Sequence, residues 1–143
     1  MKTYIGTKTV KAEPMTVADA EKVLGRKIDM SKTDHPDEED GYLVEYEDGY
    51  KSFSPTSVFE KAYKCVEDFL DRLRVERDEL KERLTKLRNF TKSPWIDAFP
   101  ERSKDLMRKQ EEAMSSYLSI LVARIELEEE KRTTSRRKAK NNR

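Results

Sequence analysis

The chain has 143 residues, 41% of them charged against 35% hydrophobic, a balance too polar for one thick core, so burial has to come from helix pairing or oligomerisation. No apolar run reaches the roughly 18 residues of a membrane span, and MKTYIGTKTVKAEP lacks the apolar stretch of a signal peptide, so neither membrane nor export is expected. The net charge of +1 hides an asymmetry: the last 13 residues, KRTTSRRKAKNNR, hold seven of the 30 basic side chains and none of the 29 acids, leaving a mildly acidic body.

Residues 3–11, TYIGTKTVK, are β-branched and aromatic with partial alternation and run to Glu13-Pro14, which predicts a strand closed by the proline. Thr16 with Asp19 three residues on is a capping arrangement, and Val17, Ala20, Val23 and Leu24 mark one face of a short helix that stops at Gly25. Arg26 and Lys27 follow its end, where cations interact favourably with the helix carboxyl pole. From Ser31 to Gly41 the polar, acidic stretch SKTDHPDEEDG reads as a solvated connector. In YLVEYEDGYKSFS two aromatic-rich runs flank Asp48-Gly49, a hairpin signal, because both turn positions tolerate positive φ.

Ser54-Pro55 then switches the period from two to three and a half. Ser57 with Glu60 forms a capping-box pattern, so a long helix is expected to begin between 55 and 58 with no linker. Its apolar stripe reads Phe59, Tyr63, Val66, Leu70, Leu73, Leu80, Leu84 and Leu87, interrupted by Arg77. A second limb carries Leu106, Ala113, Tyr117, Ile120 and Leu127 at the same spacing, interrupted by Gln110 and Arg124, with Met107, Met114, Leu118, Leu121 and Ile125 beside it. Between the limbs, KSPWIDAFPERSK holds two Pro-marked start signals and room for a single turn of helix. Antiparallel limbs folded about residue 97 would pair positions summing to roughly 193–194, setting Arg77 against Ser116 or Tyr117 and Leu84 against Gln110.

The predicted class is therefore α+β, a small N-terminal antiparallel β-sheet with a short helix followed by a long antiparallel helical hairpin. The divisions are 1–56 for the β-rich unit, 57–130 for the hairpin and 131–143 for a basic, disordered tail. The tail could meet nucleic acid through phosphate contacts, but it has no interleaved aromatics, and nucleic acid is not expected as a partner.

No catalytic constellation is visible: there is no Gly-rich phosphate loop, nucleophile elbow or metal-ligand spacing, and the one histidine, His35, sits in the acidic loop apart from Cys65, the one cysteine. No enzyme activity, metal or cofactor is expected. Binding is better supported. Arg88, Asn89, Phe90, Lys92, Ser93 and Trp95, with Phe99, gather cations, hydrogen-bonding groups and aromatic faces in one short segment, the combination that stacks a base and neutralises phosphates. The competing reading is that Phe90, Trp95 and Phe99 plug the end of the hairpin. Arg26, Arg108 and Arg124 are second-tier cations; Arg77 and Arg124 either snorkel from the seam or line an intersubunit cavity.

Two segments carry a family resemblance. GYLVEYEDGYKSFSPTSVFEKAY, residues 41–63, is similar to a recurring module of small phage and prophage proteins. KLRNFTKSPWIDAFPERSKDLMRKQEEAMSSYLSILVARI, residues 86–125, resembles the helical hairpin shared by phage anti-CBASS cyclic-oligonucleotide sponges and the first family of Thoeris anti-defence sponges, through Phe90, Ser93-Pro94, Phe99, Leu106, Gln110, Ala113-Met114, Tyr117, Leu121 and Arg124-Ile125. The small β unit ahead of it looks more like the Thoeris sponge. The resemblance implies a cytoplasmic protein of the infected bacterial cell, a homo-oligomer (dimer or hexamer), that holds a cyclic nucleotide second messenger without turnover: a cyclic ADP-ribose isomer, or a cyclic oligonucleotide of two or three units. The alternative is a non-catalytic phage structural or adaptor protein that assembles through its coiled-coil hairpin.

Overall fold

The computed structural model describes residues 1–142 and divides into two compact units, Met1–Lys64 and Cys65–Arg143. The first is an antiparallel sheet of three strands in the order β1 (Lys11–Thr16), β2 (Asp40–Glu45), β3 (Lys51–Pro55), with α1 (Val17–Leu24) and α2 (Thr56–Ala62). The second is an antiparallel pair, α3 (Phe69–Thr91) and α4 (Glu101–Asn141), joined through a 3-10 turn at Pro94–Ala98. An α+β chain of small sheet and helical hairpin is thus observed.

In the first unit the local signals act as their chemistry dictates. The Thr16 hydroxyl accepts from the Asp19 N–H at 3.2 Å and opens α1, and Gly25 closes it at φ 66°, a left-handed conformation that costs glycine little. Gly49 at φ 84° turns the β2–β3 hairpin, whose loop is closed by the Tyr46 N–H donating to the Tyr50 carbonyl at 2.9 Å. The first strand is not at 3–11: residues 1–10 hold no strand, and β1 runs through Pro14, which pairs with Tyr42. A proline fits because β1 is an edge strand, where a missing N–H need not break a central ladder. Gly41, buried in β2 opposite Pro55, has no room for a side chain: a Cβ there would stand 2.3 Å from the Ser54 carbonyl oxygen.

The long first limb is broken. Helix α2 ends at Ala62, residues 63–68 are not helical, and α3 restarts at Phe69. Asp68 is the reason: its carboxylate accepts from the Asp71 N–H at 2.9 Å as an N-cap. The Ser57–Glu60 capping box does not form either. The Ser57 N–H and hydroxyl both donate to Glu38, at 3.0 and 2.6 Å, while Glu60 accepts from the Tyr42 hydroxyl at 2.8 Å. Phe59 and Tyr63 therefore belong to the first unit, where Phe59 stacks on Tyr42 at 4.3 Å and on Tyr63 at 4.9 Å. The division at 56/57 accordingly moves to 64/65.

The hairpin seam is built from Leu70, Leu73, Leu80 and Leu84 of α3 and Leu121 and Ile125 of α4, all buried, with Met114 and Leu118 packed against them. The stripe that meets α3 is the flanking heptad set of α4. The stripe at Leu106, Tyr117, Ile120 and Leu127 stays exposed, at 42% for Tyr117 and 58% for Ile120 against 0% for Leu121. One residue of offset rotates a helical position by roughly 100°, so α4 carries two apolar faces and spends one of them on α3.

The pairing register also differs. Arg74 meets Glu129 at 3.0 Å, Arg88 meets Ser115 at 3.3 Å, and Thr91 meets Glu111, so facing positions sum to 202–203 and not 193–194. The connection does not pivot on one residue. Pro94–Ala98 winds a turn, and α4 runs ten residues, roughly 15 Å of rise, before Glu111 comes opposite Thr91. Nor are residues 131–141 of the basic end disordered: α4 stays helical to Asn141, through a stretch without Gly or Pro and rich in helix-forming Lys and Arg, while Arg143 lies outside the described residues.

Candidate functional site

The register places the end of α3 against the first half of α4, and an open cleft of about 330 Å³ lies there, lined by Arg88, Glu111, Glu112, Ser115 and Ser116. The Arg88 guanidinium donates to the Ser115 hydroxyl at 3.3 Å, which aims a planar five-donor group into the cleft while leaving most of its hydrogen-bonding capacity unused. Lys92 caps α3 four residues later and is exposed, a second cation near the end of the helix that does not line the cleft. Thr91 donates to Glu111 and fixes that carboxylate at the rim.

Of the residues expected from sequence, Arg88 lines the cleft, while Lys92 and Ser93 follow it at the end of α3 without lining it. Ser93 is occupied locally, its hydroxyl and N–H both donating to the Phe90 carbonyl at 2.7 and 3.0 Å. The ring of Phe90 is half-buried and meets Phe99 edge to face, centroids 5.4 Å apart and planes at 88°. That is the hairpin-plug arrangement, and it leaves Trp95, 75% exposed on the 3-10 turn, as the free aromatic face of this segment. Asn89 is exposed, and its side chain has no hydrogen-bond partner among the described residues.

The second-tier cations do not join this cluster. Arg26 lies in the first unit and donates to the Tyr50 hydroxyl at 3.4 Å. Arg124 sits at the opposite end of the hairpin, its guanidinium 5.7 Å over the Phe69 ring, a cation–π contact. Arg108 is exposed on the first turns of α4, and Arg77 leaves the seam to pair with Asp78 at 2.9 Å. Glu111, Glu112, Ser115 and Ser116 are not legible as cleft residues in a hairpin folded about residue 97, whose register lies more than two helical turns away; the contact of Thr91 with Glu111 is what brings them to Arg88.

The larger cavity, about 740 Å³ in the first unit, has the wrong chemistry for an anion. Its lining includes Glu21, Asp37, Glu38 and Glu39. The Ile28 N–H and the Lys27 ammonium hold Glu21 below the usual carboxylate range, and the Ser57 hydroxyl and N–H do the same for Glu38, so both stay ionised near neutrality. Among the described residues no cluster of His, Cys, Asp and Glu has the geometry of a metal site, and no helix is long and apolar enough to cross a membrane.

The second unit is thus a helical hairpin with an open groove, bearing Arg88, where α3 ends against α4. Residues 67–127, which span α3, the 3-10 turn and most of α4, match the Sequestin family, whose name denotes sequestration. No curated protein and no solved structure matches the chain significantly.

Proposed function

We propose that this protein captures a cyclic nucleotide immune messenger, a cyclic ADP-ribose isomer or a cyclic di- or trinucleotide, and sequesters it unaltered on behalf of a phage. The observation that carries the reading is the coincidence of the Sequestin match with the Arg88 cleft. A phosphodiester needs cations in fixed positions, and Arg88 and Lys92 supply them; an adenine needs an exposed π-face, and Trp95 supplies one.

A single chain does not enclose such a ligand. The cleft is open, and Glu111 and Glu112 stand beside Arg88 in its lining, so tight capture calls for further groups from a second copy. The exposed heptad stripe of α4 fits that role: its four-three spacing from Leu106 to Leu127 is the spacing that another helix reads as a seam.

Calorimetry of the purified protein against a panel of cyclic ADP-ribose isomers and cyclic di- and trinucleotides tests the reading, with stoichiometric binding expected. The ligand should be recovered intact after heat denaturation of the complex. No heat from any member, or recovery of a hydrolysed product, would reject it.

The same stripe favours a second reading, a structural or adaptor protein assembled through α4. In that case substitution of Arg88 and Lys92 leaves the phenotype intact, while a charge at Ile120 abolishes it.

A further inference from the structure

The outer end of α4 has chemistry that the hairpin does not use. The last cross-helix contact is the ion pair of Arg132 with Asp68, 2.8 Å. Beyond it α4 continues through nine further residues, Thr133 to Asn141, every one of them exposed. Lys131 pairs with Glu128, but Arg136, Arg137, Lys138 and Lys140 have no acidic partner among the described residues. Arg132, Arg136 and Lys140 follow at i, i+4, i+8 and form one ridge, with Arg137 beside it. Attraction to the helix carboxyl pole reaches only the last turn, so it accounts for Lys138 and Lys140 and leaves Arg136 and Arg137 without a role.

We propose that this extension of α4 is a sequence-nonspecific phosphate-binding helix for duplex nucleic acid. Three observations select that partner. The segment is helical, so its cations are presented at fixed spacing. It has no aromatic side chain, and its one amide, Asn141, is the last residue of the helix, so its cations contact phosphates with no array of side chains to read bases. Its one apolar residue is Ala139, so it lacks the apolar face that seats a basic helix in a lipid surface. The acidic balance of residues 1–130, 23 basic against 29 acidic side chains, concentrates any such contact on this end.

Fluorescence anisotropy of the full chain with a labelled random-sequence duplex of about 30 base pairs, titrated in salt, tests the proposal. Four phosphate contacts give log K against log salt a slope of about −3.6. The variant R136Q/R137Q/K138Q/K140Q should lose at least tenfold in affinity at low salt with its helical circular dichroism retained, and R136K/R137K should bind as the parent does. Absence of duplex binding at low salt, equal binding by the glutamine variant, or tighter binding to phosphatidylserine vesicles than to duplex would each overturn it. The glutamine variant should keep full calorimetric binding of the cyclic nucleotide, so the outcome is independent of the function proposed above.

Discussion

The Arg132 guanidinium donates to the Asp68 carboxylate at 2.8 Å, linking residues 64 positions apart at the open end of the hairpin. The same carboxylate caps α3 through the Asp71 N–H. One side chain thus starts a helix and ties that start to its partner.

The backbone bond from Asp71, then the Arg132 contact, hold Asp68 below the usual carboxylate range. A depressed carboxylate contributes stability that is present above its unfolded pKa and lost as pH falls through the folded one. The hairpin should therefore lose part of its stability as pH drops below the ordinary carboxylate range. Thermal melts of Asp68→Asn followed by circular dichroism should show a lower Tm at neutral pH and a weaker acid dependence than the parent. An unchanged acid dependence would remove Asp68 from this role.

Arg88→Ala should weaken messenger binding at least tenfold, because a charge-assisted hydrogen bond contributes about 1.5–3 kcal/mol and each 1.4 kcal/mol is a factor of ten. Arg88→Lys should recover only part of the loss, since an ammonium cannot make the planar paired contact. Calorimetry reads both, and Tm should move little because Arg88 is exposed.

The two apolar faces of α4 predict opposite consequences for two near neighbours. Ile120→Glu, on the exposed stripe, should leave the chain folded and shift its mass by light scattering toward the monomer. Leu121→Ala, on the buried seam, should cost about 2–5 kcal/mol in denaturant unfolding. If the glutamate variant remains the same size as the parent, the stripe is not a subunit contact.

Gly41→Ala should destabilise the first unit by about 1–3 kcal/mol, because the added methyl group meets a carbonyl oxygen of the neighbouring strand that cannot rotate away. Urea melts followed by tyrosine fluorescence would detect it.

The features legible in the sequence are those decided within a few residues. Thr16 acts through its hydroxyl on the next turn, Gly25 and Gly49 through their own backbone geometry, and each sits where its chemistry predicts. The failures involve choices made at a distance. The Phe59–Tyr63–Val66 spacing continues the α3 stripe in phase, and only the competing cap at Asp68 and the stacking of Phe59 on Tyr42 show that it belongs elsewhere. Met107 to Ile125 and Leu106 to Leu127 are equally good heptad stripes, and periodicity cannot say which faces α3. The cleft inherits that ambiguity. Arg88 was visible as a cation near a turn, but Ser115 became its neighbour only through a register that depends on the path of residues 92–100.

The break at residues 63–68 has a consequence for inheritance. The Sequestin match begins at Glu67, one residue before Asp68. A helix that brings its own cap needs no preceding helix to nucleate it, so the hairpin is a transferable cassette whose start signal travels with it. Recombination upstream of Glu67 could exchange the β-rich partner without disturbing how the cassette folds.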